Sequence, residues 1–296
     1  MTLLGFDTSY NNHKHGTAPH DWGAIYAAGY HYVAIRCTVG RYYRDPWFHA
    51  DYEGAKAAGL LVTAYTVPVP DQDDPPQVAN FLAHLGARPL DWPIAIDMEI
   101  RPASVPGRAM RTFDYHVYNL PRVNGQMPLT YTNQAYANQY LKSTLGTRLW
   151  VASPGSGGLY NTAPKPTMPK LWKDYVIWQR SWSETIPGIV DPTVDLDEYP
   201  GTLEQFRAEF GISMPEPPGG DKLKYRVTAS PYLNVRSGPG TNFPDVGNLP
   251  SHTEFEVLDI KAGAPVCSTW LQIKGGQYDG KWVCLVLNGQ YYAEPV

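Results

Sequence analysis

Cysteine is scarce in this chain, with three residues among 296. Cys37 lies in an apolar run that predicts a buried strand, and the sequence contains no CxxC pair. These features exclude a disulfide framework and a cysteine-ligated metal site as organising elements. Cys267 and Cys284 lie in the same C-terminal region, where they could pair, and the sequence leaves that pairing open.

An excess of charge of either sign is also lacking. The net charge is −4 and charged residues make up 18% of the chain, so bulk electrostatics gives no case for nucleic-acid binding. Hydrophobic residues make up 43%, which is enough for a packed core and argues against wholesale disorder. No apolar run approaches the length of a transmembrane helix, so we expect no membrane insertion.

Signals for export and for metal binding are weak as well. The chain begins Met1-Thr2-Leu3 and passes directly into a strand-like segment, so we expect no signal peptide. His13 and His15 lie in a polar segment, and no cysteine or acidic ligand is placed with them. The sequence therefore predicts a solvated loop there, no metal site and no cofactor.

A regular alternation of strand and helix signals fills the first 210 residues. Such alternation implies an α/β fold with a parallel sheet, and eight strands fit a closed barrel better than an open sheet. The later connections are irregular, so we expect some helices to be missing there. The predicted strands span residues 3–6, 31–37, 60–65, 93–100, 127–132, 148–151, 175–179 and 193–196.

Four acidic residues stand at the ends of these predicted strands. Asp97 and Glu99 follow the apolar run Pro93–Ile96, and side chains two apart on a strand share a face. Asp7 ends the first strand and Asp195 the eighth, and these strands become neighbours when the barrel closes. Because the C-terminal strand ends of such barrels meet at one rim, we expect the four carboxyls to gather around one groove.

Paired carboxyls of this kind suit glycoside hydrolysis. One carboxyl holds a proton for the leaving oxygen, and the other stays charged to stabilise a cation or to position a nucleophile. The alternative is a strand-end pair that simply faces water.

The composition changes after residue 212. Residues 213–222 are rich in proline and glycine, which is typical of a linker. Short alternating strands separated by turns follow over 223–296 and predict a small all-β barrel. We therefore expect a first domain over 1–212, a linker over 213–222 and a second domain over 223–296.

Nine segments of the first domain carry a family resemblance: Gly5–Ser9, Tyr32–Arg36, Ala55–Leu60, Ala64–Tyr65, Ile96–Glu99, Tyr131–Thr132, Leu149–Trp150, Trp178–Gln179 and Val194–Gly201. In this order they resemble the glycoside hydrolase family 25 muramidases, over about residues 3–210. The resemblance implies an irregular (β/α) TIM-like barrel of five βα units followed by three strands. It also implies cleavage of the β-1,4 bond between N-acetylmuramic acid and N-acetylglucosamine, which is lysozyme activity.

The same resemblance implies roles for the acidic residues. Glu99 would be the general acid/base, with a pKa raised by the nearby charges of Asp97 and Asp195. Asp97 would lie beside Glu99, and Asp7 would complete the cluster with Asp195. Whether the reaction passes through a covalent intermediate on an Asp or uses the acetamido group of the substrate, oriented by Asp97, stays open.

Aromatic residues at the strand ends are the candidates for contact with the sugar. Tyr65, Tyr131 and Trp178 come first, and Tyr10, Trp150 and Tyr199 are further candidates. The chain departs from the family pattern in two places. Relatives usually carry His and then an aromatic residue where Thr66 and Val67 stand, and many carry Asn where Asp197 stands.

Residues 223–293 resemble a bacterial SH3 domain, above all in Leu233–Gly240. The combination looks like a phage endolysin, which would be made in the host cytoplasm and act as a monomer on bacterial peptidoglycan in the cell wall. Otherwise the protein would reach the outside by non-classical release. Two alternatives remain: a wall-binding protein without catalysis, and a glycosidase that acts on chitin.

Overall fold

The computed structural model describes residues 2–14, 16, 18–105, 107–212, 224–262, 267–287 and 290–296. The chain divides into two compact units, 1–213 and 214–296. Each unit has its own sheet and its own apolar core. In the described part of the chain, no helix is long and apolar enough to cross a membrane.

The first unit is a closed barrel of eight strands with helices packed outside it. Its strands follow the order β1-β9-β8-β7-β6-β5-β4-β2, and β1 closes the barrel by pairing with β2. The short strand β3 pairs antiparallel with β2. The strands are β1 Leu3–Thr8, β2 Tyr30–Val39, β3 Tyr43–Arg44, β4 Leu61–Val67, β5 Ala95–Asp97, β6 Leu129–Asn133, β7 Leu149–Ala152, β8 Ile177–Glu184 and β9 Val194–Tyr199.

Six α-helices accompany these strands among the residues that the structure describes. Five of them each follow one of the first barrel strands, which confirms the five βα units and three final strands that the resemblance implies. The helices are α1 Trp22–Ala27, α2 Phe48–Ala57, α3 Asp74–Leu85, α4 Gly107–Asn119, α5 Gln134–Tyr140 and α6 Leu203–Glu209.

The barrel is not wholly parallel, and in this the structure differs from the expected sheet. Strand β9 runs antiparallel to both of its neighbours, β1 and β8. The loop from β8 to β9 spans residues 185–193, and a parallel crossover requires about a dozen residues or more. The short loop therefore forces a hairpin, which reverses the direction of the last strand.

Aromatic side chains fill one end of the barrel. Phe206 of α6 stacks on Tyr32 and meets Trp92 edge-on, and Phe210 just after α6 packs at a tilt against Trp92. Gly5 of β1 makes room for this packing, because a Cβ atom there would lie 2.3 Å from the Tyr32 ring. A second apolar layer lies between the strands and the outer helices. With one end closed by aromatic rings, a cavity can open only at the other.

The second unit is all β among its described residues, apart from one short 3-10 turn at Gly276–Tyr278. Cys284 is disulfide-bonded and Cys37 is free, while the side chain of Cys267 lies outside the described residues. The strands are β10 Lys224–Val227, β11 Tyr232–Arg236, β12 Asp245–Pro250, β13 Glu254–Ala262, β14 Cys267–Lys274, β15 Trp282–Leu287, β16 Gln290–Tyr291 and β17 Ala293–Pro295.

Candidate active site

A cavity of about 450 Å³ opens at the carboxyl-terminal end of the parallel barrel strands. All four carboxylates predicted from the sequence line it, so the structure brings them together. The lining residues are Asp7, Ser9, Asn11, Asn12, Arg36, Val39, Tyr65, Val67, Asp97, Glu99, Ile100, Tyr131, Trp150 and Asp195.

Asp7 and Asp195 reach the cavity from adjacent strands. They are direct partners in the antiparallel pairing of β1 with β9. The expectation that Asp195 ends its strand is wrong, since Asp195 is the second residue of β9. It still lies at the rim with Asp7 because β9 runs in the opposite direction.

Asp97 and Glu99 reach the cavity from the end of β5. Strand β5 ends at Asp97, and the next backbone N–H, that of Met98, donates to the Tyr131 carbonyl oxygen at 2.9 Å. Met98 is buried in the outer core and Glu99 lies beyond the strand. The predicted strand over 93–100 is therefore too long, but the predicted alternation is confirmed, since Asp97 and Glu99 line the cavity and Met98 lies on the opposite side in the outer core.

A buried glutamine joins the acidic residues to each other. The Gln179 amide nitrogen donates to Asp7 Oδ2 at 2.7 Å and to Asp195 Oδ2 at 3.3 Å. Its amide oxygen accepts from the Tyr131 hydroxyl at 2.8 Å and from Trp182 Nε1 at 2.7 Å. Three of these partners, Asp7, Asp195 and Tyr131, line the cavity, and nothing in the sequence indicated that Gln179 would contact them.

Burial of several carboxyls in one cavity raises their pKa values. Burial raises the pKa of Asp7 to about 7, and the charge of Glu99 adds to the rise. Burial likewise raises the pKa of Asp195 to about 9, with Asp7 and Glu99 adding to it. The pKa of Asp97 lies well above its ordinary range for the same reasons. Because neighbouring carboxylates repel one another, the group holds shared protons near neutrality.

Glu99 is the most accessible of these acids. The residue is exposed, yet its carboxyl lies in the concave mouth of the cavity, where the surrounding protein displaces water and raises its pKa. Burial is the cause of this rise. The resemblance implied that neighbouring charge raises the pKa of Glu99, but that charge raises the pKa of Asp7 and Asp97 instead. An accessible carboxyl with a raised pKa is suited to general acid catalysis.

Arg36 brings the opposite charge into the cavity. Its guanidinium binds Asp45 through Nε and a terminal nitrogen, both at 2.9 Å from Oδ2. Asp45 also accepts the backbone N–H of Tyr10 at 3.0 Å. Arg36 acts to lower the pKa of both Asp7 and Asp97 and so opposes the effect of their burial.

Three of the six aromatic candidates line the cavity: Tyr65, Tyr131 and Trp150. Trp150 is almost fully buried, and its Nε1 donates to Asp197 Oδ1 at 2.9 Å. Asp197 therefore lies beneath the cavity floor, and burial raises its pKa well above the ordinary range. Tyr131 packs edge-on against Trp150 with ring centroids 5.1 Å apart.

The other three aromatic candidates lie elsewhere, contrary to the expected positions. Trp178 points into the outer layer, where its Nε1 donates to the Ser153 carbonyl oxygen. Tyr199 lies at the closed end of the barrel against Phe206. Tyr10 belongs to the turn beside the cavity, but it is not one of the lining residues.

The histidine segment is also corrected by the structure. His13 and His20 are buried and stacked, with ring centroids 4.0 Å apart, so the expectation of a solvated loop is wrong for His13. His15 lies outside the described residues. His13 Nδ1 donates to the Ala18 carbonyl oxygen at 2.8 Å, and Nε2 lies 2.9 Å from Asp51 Oδ2. The acidic partner is 38 positions away in the chain, which is why the sequence did not reveal it.

His13, His20 and Asp51 offer ligand atoms within 4.8 Å of one another, as a metal site would. The ring planes of the two histidines, however, are only 23° from parallel. Imidazole lone pairs lie in the ring plane, so stacked rings do not direct them at a common ion. His20 also contacts Thr8 Oγ1 at 3.1 Å and the Val190 N–H at 3.4 Å. These contacts favour a hydrogen-bonded structural cluster.

The fold and the site together define a class of protein: an α/β-barrel hydrolase with a carboxylate-lined cavity. Residues 7–189 match the profile described as glycosyl hydrolases family 25, and residues 231–285 match the bacterial SH3 domain. The chain therefore belongs to glycosyl hydrolase family 25 and carries a bacterial SH3 domain. Both resemblances seen in the sequence are confirmed.

Similar proteins agree with this assignment. Lysozyme M1 of Streptomyces globisporus is 26% identical over 206 residues, which cover 64% of this chain and 66% of that protein. The autolytic lysozyme of Clostridium acetobutylicum is 28% identical over 181 residues, which cover 60% of this chain and 52% of that protein. The chain thus spans between about half and two thirds of these relatives. The bacterial lysozyme structure from Streptomyces coelicolor shares the fold, with a TM-score of 0.58, 23% identity and coverage of 70% of this chain and 96% of that one.

Proposed function

We propose that this protein is a peptidoglycan hydrolase of the lysozyme type, a 1,4-β-N-acetylmuramidase. It cleaves the β-1,4 bond between N-acetylmuramic acid and N-acetylglucosamine. The observation that carries the proposal is the meeting of Asp7, Asp97, Glu99 and Asp195 in one cavity of a family 25 barrel. The names of both relatives, each a lysozyme, support it.

Glu99 acts as the general acid and then as the general base. Its raised pKa keeps a proton on the carboxyl, and its exposure lets that proton reach the glycosidic oxygen. Once the leaving sugar has taken the proton, the Glu99 carboxylate can remove a proton from the incoming water.

Asp97 orients the acetamido group of the substrate. Its Oδ1 is buried and finds no hydrogen-bond partner among the described residues, which is costly unless a ligand supplies one. A substrate amide N–H supplies such a donor. In the acetamido-assisted route, the amide oxygen attacks the anomeric carbon, and a carboxylate at Asp97 stabilises the positive charge that develops on the acetamido nitrogen.

The Asp7 carboxylate supplies negative potential that favours the cation-like transition state, and Asp195 beside it holds a proton near neutrality. Tyr65, Tyr131 and Trp150 form its aromatic walls and contact the sugar. All of these residues come from one chain, so a monomer has a complete site.

The second domain binds the bacterial cell wall and holds the enzyme on its substrate. In this proposal, residues 1–212 form the catalytic domain, 213–222 the linker and 223–296 the wall-binding domain. The bacterial SH3 match over 231–285 supports the assignment, and the wall is the place of action.

The test is the Glu99→Gln variant on purified peptidoglycan of defined composition, with mass spectrometry of the released fragments. The wild-type protein should release fragments that end in reducing N-acetylmuramic acid. Loss of the general acid should slow this release by about a hundredfold or more. Glu53→Gln, a neutralisation on the exposed side of α2, is the matched control and should behave as wild type.

Wall binding should persist in Glu99→Gln, which separates catalysis from attachment. Full activity in Glu99→Gln would refute the role of Glu99. Wild-type protein that binds walls without releasing fragments would favour the non-catalytic alternative, and preferential release from chitin would favour the chitinase alternative.

A further inference from the structure

Gln179 is a buried polar side chain on which no mechanistic step above depends. Its exposed fraction is 1%, and it makes four side-chain hydrogen bonds. Two of these contacts reach Asp7 and Asp195, the carboxyls that the pairing of β1 with β9 places side by side. The question is whether these contacts only fill space or set the state of the two acids.

The chemistry of its neighbours fixes the direction of the Gln179 amide. An indole N–H can only donate, so the atom 2.7 Å from Trp182 Nε1 must be the amide oxygen. The Tyr131 hydroxyl donates to the same oxygen. The amide nitrogen must then face Asp7 and Asp195. If the amide were flipped, its NH2 group would face the indole N–H, and its oxygen would face the two carboxyls.

The backbone around Gln179 is held on both sides. Gln179 pairs with Asp197 of β9, and its carbonyl oxygen accepts the N–H of Ser153. The pairing of β8 with β9 shifts register between Gln179 and Ser181. Such an irregularity changes the face of the sheet to which the following side chains point. It lets Trp182, three positions further along, return its indole to the Gln179 amide.

We infer that Gln179 is a positioning residue of the active site, which holds Asp7 and Asp195 in place and is itself oriented by Tyr131 and Trp182. The inference rests on the proposed function, since it assigns a role within that reaction. The shorter contact goes to Asp7, 2.7 Å against 3.3 Å to Asp195. A hydrogen bond from a neutral amide stabilises a carboxylate more than a carboxylic acid, so Gln179 places the negative charge on Asp7 and leaves the proton on Asp195.

The test compares wild type with Gln179→Leu, Gln179→Glu and Trp182→Phe. The Leu variant removes all four contacts. The Glu variant keeps an acceptor for Tyr131 and Trp182 but replaces the permanent amide donor with a titratable carboxyl, and it guards against a Leu variant that fails to fold. The Phe variant keeps an aromatic ring and loses only the indole N–H. Gln139→Leu, an exposed glutamine on α5, is the matched control.

The measurements are the pH profiles of kcat and KM on soluble peptidoglycan fragments, and carbon-13 NMR titration of the Asp7 and Asp195 carboxyls. We expect Gln179→Leu and Gln179→Glu to lower kcat by about tenfold or more and to change KM little, because the lost contact acts on transition-state charge. Without its donor, Asp7 should hold its proton to higher pH. The acidic limb of the kcat profile should therefore move upward, and Trp182→Phe should move it in the same direction by less.

The NMR titration keeps this inference separate from the proposed function. A wild-type protein that fails to cleave peptidoglycan would end the proposed function, while the titration would still report whether Gln179 controls Asp7. An active protein in which the Gln179 variants titrate Asp7 as wild type does would overturn the inference. A kcat loss without a shift in the pH profile would likewise reduce Gln179 to a packing role.

Discussion

The first unit buries two clusters of polar side chains, and they differ in how their charges are balanced. In the histidine cluster, His13 faces Asp51, and each ring nitrogen of His13 and His20 has a contact within hydrogen-bond range. In the carboxylate cluster, four carboxyls share a cavity with the Arg36 guanidinium, which is itself bound to Asp45. Two buried oxygens there, Asp97 Oδ1 and Asp197 Oδ2, have no partner among the described residues.

This difference separates a structural site from a catalytic one. Buried polar groups with complementary partners stabilise a fold at little net cost, whereas buried like charges destabilise it. A cluster of buried carboxyls is kept where the reaction uses their raised pKa values, as in general acid catalysis. The two clusters should therefore respond in opposite ways when one of their members is neutralised.

The largest effect is expected from Asp97→Asn. The substitution keeps the shape of the side chain and removes the charge that stabilises the acetamido nitrogen, so kcat should fall by about a thousandfold. The same change relieves repulsion among buried carboxyls, so the free energy of unfolding should rise by about 1 kcal/mol. Kinetics and urea denaturation on the same preparation measure both. A variant that is less stable than wild type would show that the carboxylate cluster is not strained.

The next effect is expected in the histidine cluster from Asp51→Leu. The change leaves a buried His13 without its anionic partner, which should lower the free energy of unfolding by about 3 kcal/mol. Activity per folded molecule should change far less than in Asp97→Asn. The control is the double variant His13→Leu/Asp51→Leu, which removes both partners and should recover part of the stability. Additive losses in the double variant would mean that the two side chains do not interact.

The strand order, the acidic residues and their common rim could be predicted from the sequence because each depends on a local pattern. An apolar run followed by Asp97 is visible without any knowledge of the fold. The position of Asp195 is a different case: the residue was placed at the correct rim, although the strand direction was wrong. The short loop over 185–193 held the information that would have corrected it.

Which residues of a buried strand point into the barrel, and which point outward, could not be predicted in the same way. Residues 177–179 at the start of β8 are all buried, so their sequence does not show which of them points into the barrel. Trp178 was expected at the cavity, and its neighbour Gln179 is the residue that points there. Arg36 was missed because a charged residue in a strand resembles one that faces water. His13 and Asp51 could not be paired because a contact across 38 positions leaves no local pattern.

The last effect is a slope with pH rather than a single difference, and it compares the two clusters directly. Burial raises the pKa of Asp195 to about 9, so between about pH 4 and 9 the folded protein holds a proton that the unfolded chain has released. This group makes stability fall as pH rises through that window. Burial lowers the pKa of His20 to about 3, so this group makes stability fall as pH drops below about 6.5. The free energy of unfolding of Asp195→Asn should therefore rise relative to that of wild type as pH rises, by at most about 1.4 kcal/mol per pH unit. In His20→Asn, the free energy of unfolding should depend less on pH below about 6.5 than it does in wild type. Urea titrations from pH 4 to 9 measure both slopes, and an Asp195→Asn curve parallel to that of wild type would mean that Asp195 is ionised in the folded protein.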